Sequence, residues 1–263
     1  MPGHFDKRVM LERMSFYSDQ AGIYGRYLRE EDNWRSHIEK CHQFISESIS
    51  ITQPKTVIVL GSGHLLDFPL YEALKKTDTI KLVDIIHPPH VRSLASAEDS
   101  VELIEADITG GLIEATWNYS RLKRSRRNPE DLLNFRSEFM VEVNEGQLVI
   151  SLNILSQLNS LLVEFLSEKA FLTEKDLMLF SKMIQESHLR MLGHHDFVLI
   201  TDTREISGGA GELHNTKGLV FGELPKGIKS STWEWVFDTT GSYKNNTDTK
   251  MHVFASLSKK DQK

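Results

Sequence analysis

Apolar residues along this chain change their period at Pro54. Upstream of it Trp34, Ile38, Cys41, Phe44, Ile45, Ser48 and Ile49 recur three and four positions apart, the stripe of an amphipathic helix. Residues 1 to 53 therefore read as mainly helical, and Pro54 ends the segment. Downstream, TVIVLGSG is an unbroken apolar run closed by a glycine turn, the pattern of a parallel strand buried on both faces. DFPLYEALKKT predicts a short helix with Pro69 suited to its first turn. KLVDII follows as a second strand, HPPHVRSLASAE leads into a second helix, and VELIEADIT is a third strand. QLVISLNIL, residues 147 to 155, predicts the fourth strand, and DFVLITD, residues 196 to 202, the fifth. Helices lie between them, the clearer being TEKDLMLFSKMIQESHLRML with Thr173 as its N-cap. WEWVFD and MHVFASL close the chain as strands around GSYKNNTDTK, a long hairpin loop.

Alternation of strand and helix with short connections predicts a doubly wound, Rossmann-like, mostly parallel sheet. The last two strands lack a helix between them, so an antiparallel hairpin ends it. The expected division is a helical cap or lid over residues 1 to 54 and a sheet domain over residues 55 to 263.

Composition narrows the partners more than the fold. With 40% hydrophobic and 26% charged residues the 263-residue chain has the make-up of a soluble globular protein. Its net charge of −6 gives no cationic field for nucleic acid or an anionic membrane. The single cysteine, Cys41, excludes an internal disulfide and a multi-cysteine metal site. MPGHFDKRVMLERM has no apolar signal-peptide core, and no apolar run is long enough to span a bilayer. A cytoplasmic protein is expected.

Candidate chemistry gathers where strands end, since open α/β sheets bind ligands beyond the carboxyl ends of their strands. Gly61 and Gly63 allow a tight turn and close backbone approach. Asp84 ends the second strand, where a carboxylate can accept from both ribose hydroxyls, and Asp107 ends the third, placed to accept from an adenine amino group. Each also has a plain structural reading, Asp84 as a helix cap and Asp107 as a turn residue. The ordered set of Gly61-Ser62-Gly63, Asp84 in LVDI, Asp107 in EADIT and Asn153 in SLNILSQL resembles the successive motifs of class I S-adenosylmethionine-dependent methyltransferases. WEWVFD and MHVFASL resemble that family's terminal β-hairpin, and the likeness spans residues 55 to 263. It implies a seven-stranded sheet and S-adenosylmethionine as cofactor. Gly61, Ser62 and Gly63 would face the methionine half, Asp84 with Ile85 the ribose, Asp107 with Ile108 the adenine, and Asn153 the sulfonium. Two positions depart from the pattern: the usual acid before the first glycine is Val59, and the third glycine is Leu65. Asp67, on the same loop, is the candidate substitute for the acid, with a helix cap as its plain reading.

The acceptor side is less legible. Methyl transfer is an in-line displacement in which positioning supplies much of the catalysis, and no general base stands out. Asn153 and Gln157 are candidates for orienting an acceptor, with Ser156 reading as the cap of the next helix. Tyr24 and Tyr27, between flexible glycines, fit a lid on the substrate side. His188 shares a helical face with Leu177, Phe180, Ile184 and Met191 and reads as a core histidine. His87 and His90 have no completing ligands, so no metal is expected. RLKRSRR, residues 121 to 127, reads as a solvated loop or as a docking patch for an acidic partner. The sequence thus predicts methyl transfer to a small molecule or a protein side chain. The alternatives are an inactive cofactor-binding partner or sensor, aminopropyl transfer, and a nicotinamide-binding domain, whose fingerprint wants a glycine where Leu66 stands.

Overall fold

A computed structural model describes residues 6–170, 172–208, 215–244 and 247–260. Residues 1–5 of the opening segment, and residues 245 and 246 of the hairpin loop, lie outside the described residues. Along the chain run α1 (Lys7–Arg13), α2 (Phe16–Thr52), β1 (Thr56–Leu60), α3 (Leu70–Leu74), β2 (Thr79–Asp84), α4 (Pro89–Ala97) and β3 (Val101–Glu105). There follow α5 (Leu112–Ser120), α6 (Glu130–Leu133), β4 (Leu148–Leu152), α7 (Ser160–Lys169) and α8 (Glu174–Leu192). The last elements are β5 (Asp196–Gly208), β6 (Asn215–Gly218), β7 (Lys229–Asp238) and β8 (Asp248–Ser258).

The strands form one sheet in the order β3-β2-β1-β4-β5-β8-β7, with β6 paired to the far half of β5. The first five are parallel, and β8 runs antiparallel to both of its neighbours. This is the mostly parallel sheet with a terminal antiparallel hairpin that the resemblance implied. β1 and β4 at its centre are apolar on both faces because both are covered, and Ile58, Val59, Leu148 and Ile150 are out of contact with water. β6 went unread from sequence: NTKG is exposed throughout, has no apolar alternation, and is held only by pairing with β5.

α2 carries a break at Glu30, whose φ of −113° and ψ of 17° leave the helical region. The break is pinned from outside. The buried Glu30 carboxylate accepts from the Thr239 N–H at 2.8 Å and from Asn33 Nδ2 at 2.6 Å. Beyond it the helix lies on β7, where alternation points Trp233, Trp235 and Phe237 to one face. Trp34 meets Trp235 edge-on at 4.7 Å between ring centres and donates its indole N–H to the Phe237 carbonyl at 2.8 Å. With Cys41, Phe44, Ile45 and Ile49 also buried, at roughly 1.5–3 kcal/mol for each large apolar side chain, this half belongs to the core. α1 adds Met10, Leu11 and Met14 to the core on the opposite face of the sheet. Thr173 and Asp176 form a reciprocal capping box at the start of α8. None of the described helices is long and apolar enough to cross a membrane.

Candidate functional site

Beyond the carboxyl ends of the parallel strands, the sheet and the first half of α2 enclose a cavity of about 480 Å³. That is within the roughly 300–1,000 Å³ usual for small-molecule sites. Strand order reverses between β1 and β4, the switch point where such a sheet opens a crevice. Gly61, Ser62, Gly63 and Asp67 line the cavity from the loop after β1. Asp84 with Ile85, Asp107 with Ile108, and Asn153 with Gln157 line it from the ends of β2, β3 and β4. Phe16, Asp19, Gln20, Ile23 and Arg26 line it from α2, and Tyr24 and Tyr27 do not. Tyr24 stacks on His64, 4.8 Å between centres, while Tyr27 lies 6.0 Å from Trp34.

The loop after β1 needs its first glycine for two reasons. Gly61 has φ +78°, and a Cβ there would stand 2.8 Å from Ile154 Cδ1. Leu65, in place of the third glycine, keeps a positive φ of 61°. That conformation strains a residue with a Cβ by roughly 1–2 kcal/mol. Asp84 holds this loop. Its carboxylate accepts the Gly63 N–H at 2.8 Å and the Ile85 N–H at 2.7 Å. It caps no helix, because the N-cap of α4 is Pro88. Burial raises its carboxyl above the usual value, and the two N–H groups oppose that rise. Asp107 is more fully committed: it accepts from Thr109 N at 2.8 Å, Thr109 Oγ at 2.5 Å, and Gly111 N and Ile113 N at 3.1 Å each. It fixes the turn into α5 while lining the cavity.

Sequence reasoning missed His37, which lies in the same stripe as Trp34 and Cys41 at helical spacing. Asn153, with φ +49°, turns the chain out of β4 and donates Nδ2–H to Asp67 Oδ2 at 2.8 Å. His37 Nε2 lies 3.5 Å from Asp67 Oδ1, and the Trp233 indole N–H donates to His37 Nδ1 at 3.1 Å. Since an indole only donates, Nδ1 accepts and the ring proton sits on Nε2, facing Asp67. Burial alone would raise the Asp67 carboxyl, but the His37 ring and the Asn153 amide hold it below the ordinary value. His37, Cys41 and Asp67 also bring three possible metal ligands within 4.8 Å of one another. A metal on Nε2 would need the ring proton on Nδ1, where Trp233 already donates. Burial, with Asp67 and Asp202 nearby, also pushes the Cys41 thiol well up, away from the thiolate a metal needs. The cluster is a hydrogen-bond network that ties α2 to the ends of β1, β4 and β7.

Asp202 was read only as the last letter of strand five. The structure makes it a wall of the cavity, 4% exposed, with Oδ1 unpartnered. Burial first, then Asp67 and Glu205, push its carboxyl up to about 7. Glu205, three residues on, accepts from Tyr243 Oη at 3.2 Å and pairs with Lys244. Among the described residues, more than half of the buried side-chain polar atoms lacking a partner belong to this cavity's walls, including Arg26 Nε, Ser62 Oγ, Asp67 Oδ1, Ser156 Oγ and Trp235 Nε1. Buried polar groups are otherwise nearly always paired, so the concentration marks a ligand site. Ser156 is no helix cap, since α7 starts at Ser160 behind Asn159.

The first half of α2 is clasped over the cavity: Gln20 donates Nε2–H to the Ile86 carbonyl, and His64 donates Nε2–H to the Gln20 carbonyl, both at 2.9 Å. Elsewhere, buried His188 lies with Nε2 2.8 Å from Ser151 Oγ, and burial lowers it to about 4. Trp117 packs on Phe165 away from the cavity. In the basic run, Arg127 donates to the carbonyls of Ser120, Leu122 and Lys169, which makes that residue a structural tie after α5.

No protein-family profile and no curated protein matches the sequence. Among solved structures the chain is similar to 1,6-didemethyltoxoflavin-N1-methyltransferase of Burkholderia thailandensis with bound 1,6-didemethyltoxoflavin and S-adenosylhomocysteine. Identity is 11%, covering 99% of this chain and 94% of that one, with a TM-score of 0.39. It is also similar to the methyltransferase domain of bacterial CtHen1-C, at 13% identity over 81% of this chain and 95% of that one, TM-score 0.28. Both scores are low. The reading below rests on the strand order and the cavity itself.

Proposed function

We propose that this protein is an S-adenosylmethionine-dependent methyltransferase, with its cofactor along the carboxyl ends of β1 to β4. The supporting observation is that the glycine turn, Asp84, Asp107 and Asn153, scattered through the sequence, converge on one cavity. The residues fit the group. A Cβ at Gly61 would collide with Ile154 just beyond the end of β4, and Ser62 Oγ, Asp67 Oδ1 and Asn153 Oδ1 are buried polar atoms without partners. Val59 is buried in the core against α2, so the anion it does not supply comes from Asp67. In this reading Gly61, Ser62 and Gly63 face the methionine half, with Asp67 at its ammonium. Asp84 and Ile85 take the ribose, and Asp107 and Ile108 border the adenine. Asn153 stands near the sulfonium and Gln157 toward the acceptor, a small molecule or a protein side chain. Tyr24 and Tyr27 act through the cover formed by the first half of α2. Bound there, the cofactor supplies a methyl group activated by a positive sulfur. The chain's own part is to hold the acceptor in line and keep water out.

Aminopropyl transfer is the second reading. It calls for carboxylates beside a polyamine, and Asp202 and Glu205 line the cavity where the fourth-strand segment has none. The mass added to the product separates the two. Calorimetric titration tests the shared premise: S-adenosylmethionine and S-adenosylhomocysteine bind and NAD does not. Tight NAD binding with no response to either adenosyl ligand contradicts it.

A further inference from the structure

The cavity is uneven in charge. Away from the glycine loop its walls carry the carboxylates of Asp19, Glu164, Asp202 and Glu205 against the cations of Arg26 and Lys217. Two of these groups are already engaged. Glu205 has Tyr243 and Lys244, and the Arg26 guanidinium lies over the rings of Phe237 and Tyr243 at 4.8 and 4.9 Å. Among the carboxylates, Asp202 is buried with Oδ1 bonded to nothing. Trp235, also 4% exposed and also a wall, presents an unpartnered indole N–H. A buried carboxylate oxygen wants an N–H or O–H donor.

We propose that this end of the cavity binds a primary or secondary amine carried on an apolar or aromatic body, with Asp202 as the anchoring carboxylate; as the identity of the methyl acceptor, it rests on the reading above. Glu205 is held back from the amine by its own partners. The edge of Trp235 borders the amine's body, and its free N–H takes an acceptor atom of the ligand. An ammonium must shed one proton before its lone pair can act as a nucleophile. Asp202, with its carboxyl raised to about 7, takes that proton as the N–H bond breaks and an O–H bond forms. Groups from every neighbouring element face it: His37 and Cys41 from α2, Asp67 from the loop after β1, Glu205 on its own strand and Tyr243 after β7.

The test uses benzylamine, with benzyl alcohol and benzoate as its neutral and anionic counterparts, titrated calorimetrically into full-length protein with and without saturating S-adenosylhomocysteine. Benzylamine is expected to bind at least about tenfold more tightly than either counterpart, the smallest effect of one charge-assisted hydrogen bond. Asp202→Asn should remove that preference while S-adenosylhomocysteine affinity stays within about twofold. Benzoate binding as well as benzylamine overturns the proposal, a result that needs only the wild-type protein. An Asp202→Asn variant that keeps the amine preference but loses S-adenosylhomocysteine also overturns it, by making Asp202 the cofactor's anchor. Amine binding that depends on Asp202 in a protein that ignores S-adenosylhomocysteine would uphold the amine site and sink the methyltransferase reading.

Discussion

Asp67 and Asp202 share one cavity and lie close enough to perturb each other, yet their carboxyls move in opposite directions. Asp67, on the loop after β1, sits below its ordinary value; Asp202, in the middle of β5, rises to about 7. Depth does not separate them, since desolvation is the leading influence on both. Donors do. Asn153 bonds Asp67 Oδ2 and the His37 ring lies 3.5 Å from Oδ1. Asp202, by contrast, is lowered by the His37 ring without any bond to it, keeps Oδ1 unpartnered and is raised by two other carboxylates. In a low-dielectric site, the groups around a carboxylate decide whether it serves as a fixed anion or as a proton acceptor. The cavity thus has a pre-bonded end around the glycine loop, where Asp84, Asp107 and Asp67 Oδ2 already accept N–H groups, and an under-bonded end around β5 and β7, where Asp202 Oδ1 accepts none.

The strongest way to break the pre-bonded end is Asp84→Ala. It leaves the Gly63 and Ile85 N–H groups without their acceptor and removes the proposed ribose partner. S-adenosylhomocysteine affinity should fall at least tenfold, by about 1.5–3 kcal/mol, in a protein that still folds. Unchanged affinity would reduce Asp84 to a loop brace. Asp67→Ala comes next. It strands the Asn153 amide and the His37 N–H in a buried site, and denaturant unfolding should show a loss of about 1–3 kcal/mol.

At the under-bonded end the sign reverses. Asp202 has a folded value above 3.8, so the folded state holds the extra proton and stability falls as pH rises from 3.8 to about 7. Asp202→Asn should therefore raise Tm at neutral and higher pH, by a few degrees, and make little difference in acid. A pH-independent effect of that substitution would remove the contrast with Asp67. The smallest expected change is Leu65→Gly. It relieves roughly 1–2 kcal/mol of left-handed strain but gives back about 0.5–1 in chain entropy and about 1 from the half-buried leucine side chain packed on the core, so thermal unfolding should shift by no more than about 1 kcal/mol.

Much of the pre-bonded end was legible in the sequence, because buried parallel strands are continuous apolar runs and a glycine turn at their end is a local signal. Gly61 and Asp84 could be placed at strand ends from the apolar pattern, and Asn153 from the resemblance to the methyltransferase motifs. Asp107 could be placed but its four hydrogen bonds could not be foreseen, since they depend on how the chain folds back into α5. His37 had a readable sign, a polar position at helical spacing between Trp34 and Cys41, but its partner Trp233 is 196 residues away. Asp202 had none. It acquires meaning only when β5 pairs with β4 and β8 and carries it beside Asp67. The break at Glu30 was hidden for the same reason, its cause being Thr239, 209 residues away in sequence.

Hydrogen–deuterium exchange with and without S-adenosylhomocysteine tests the division most directly. Slowed exchange is expected over residues 60–67, 84–86 and 107–109 and at Asn153, together with residues 16–26 of the cover, while residues 202–207 and 235–243 change little. Protection confined to β5 and the terminal hairpin, or no protection at all, would contradict the placement of the cofactor at the glycine end.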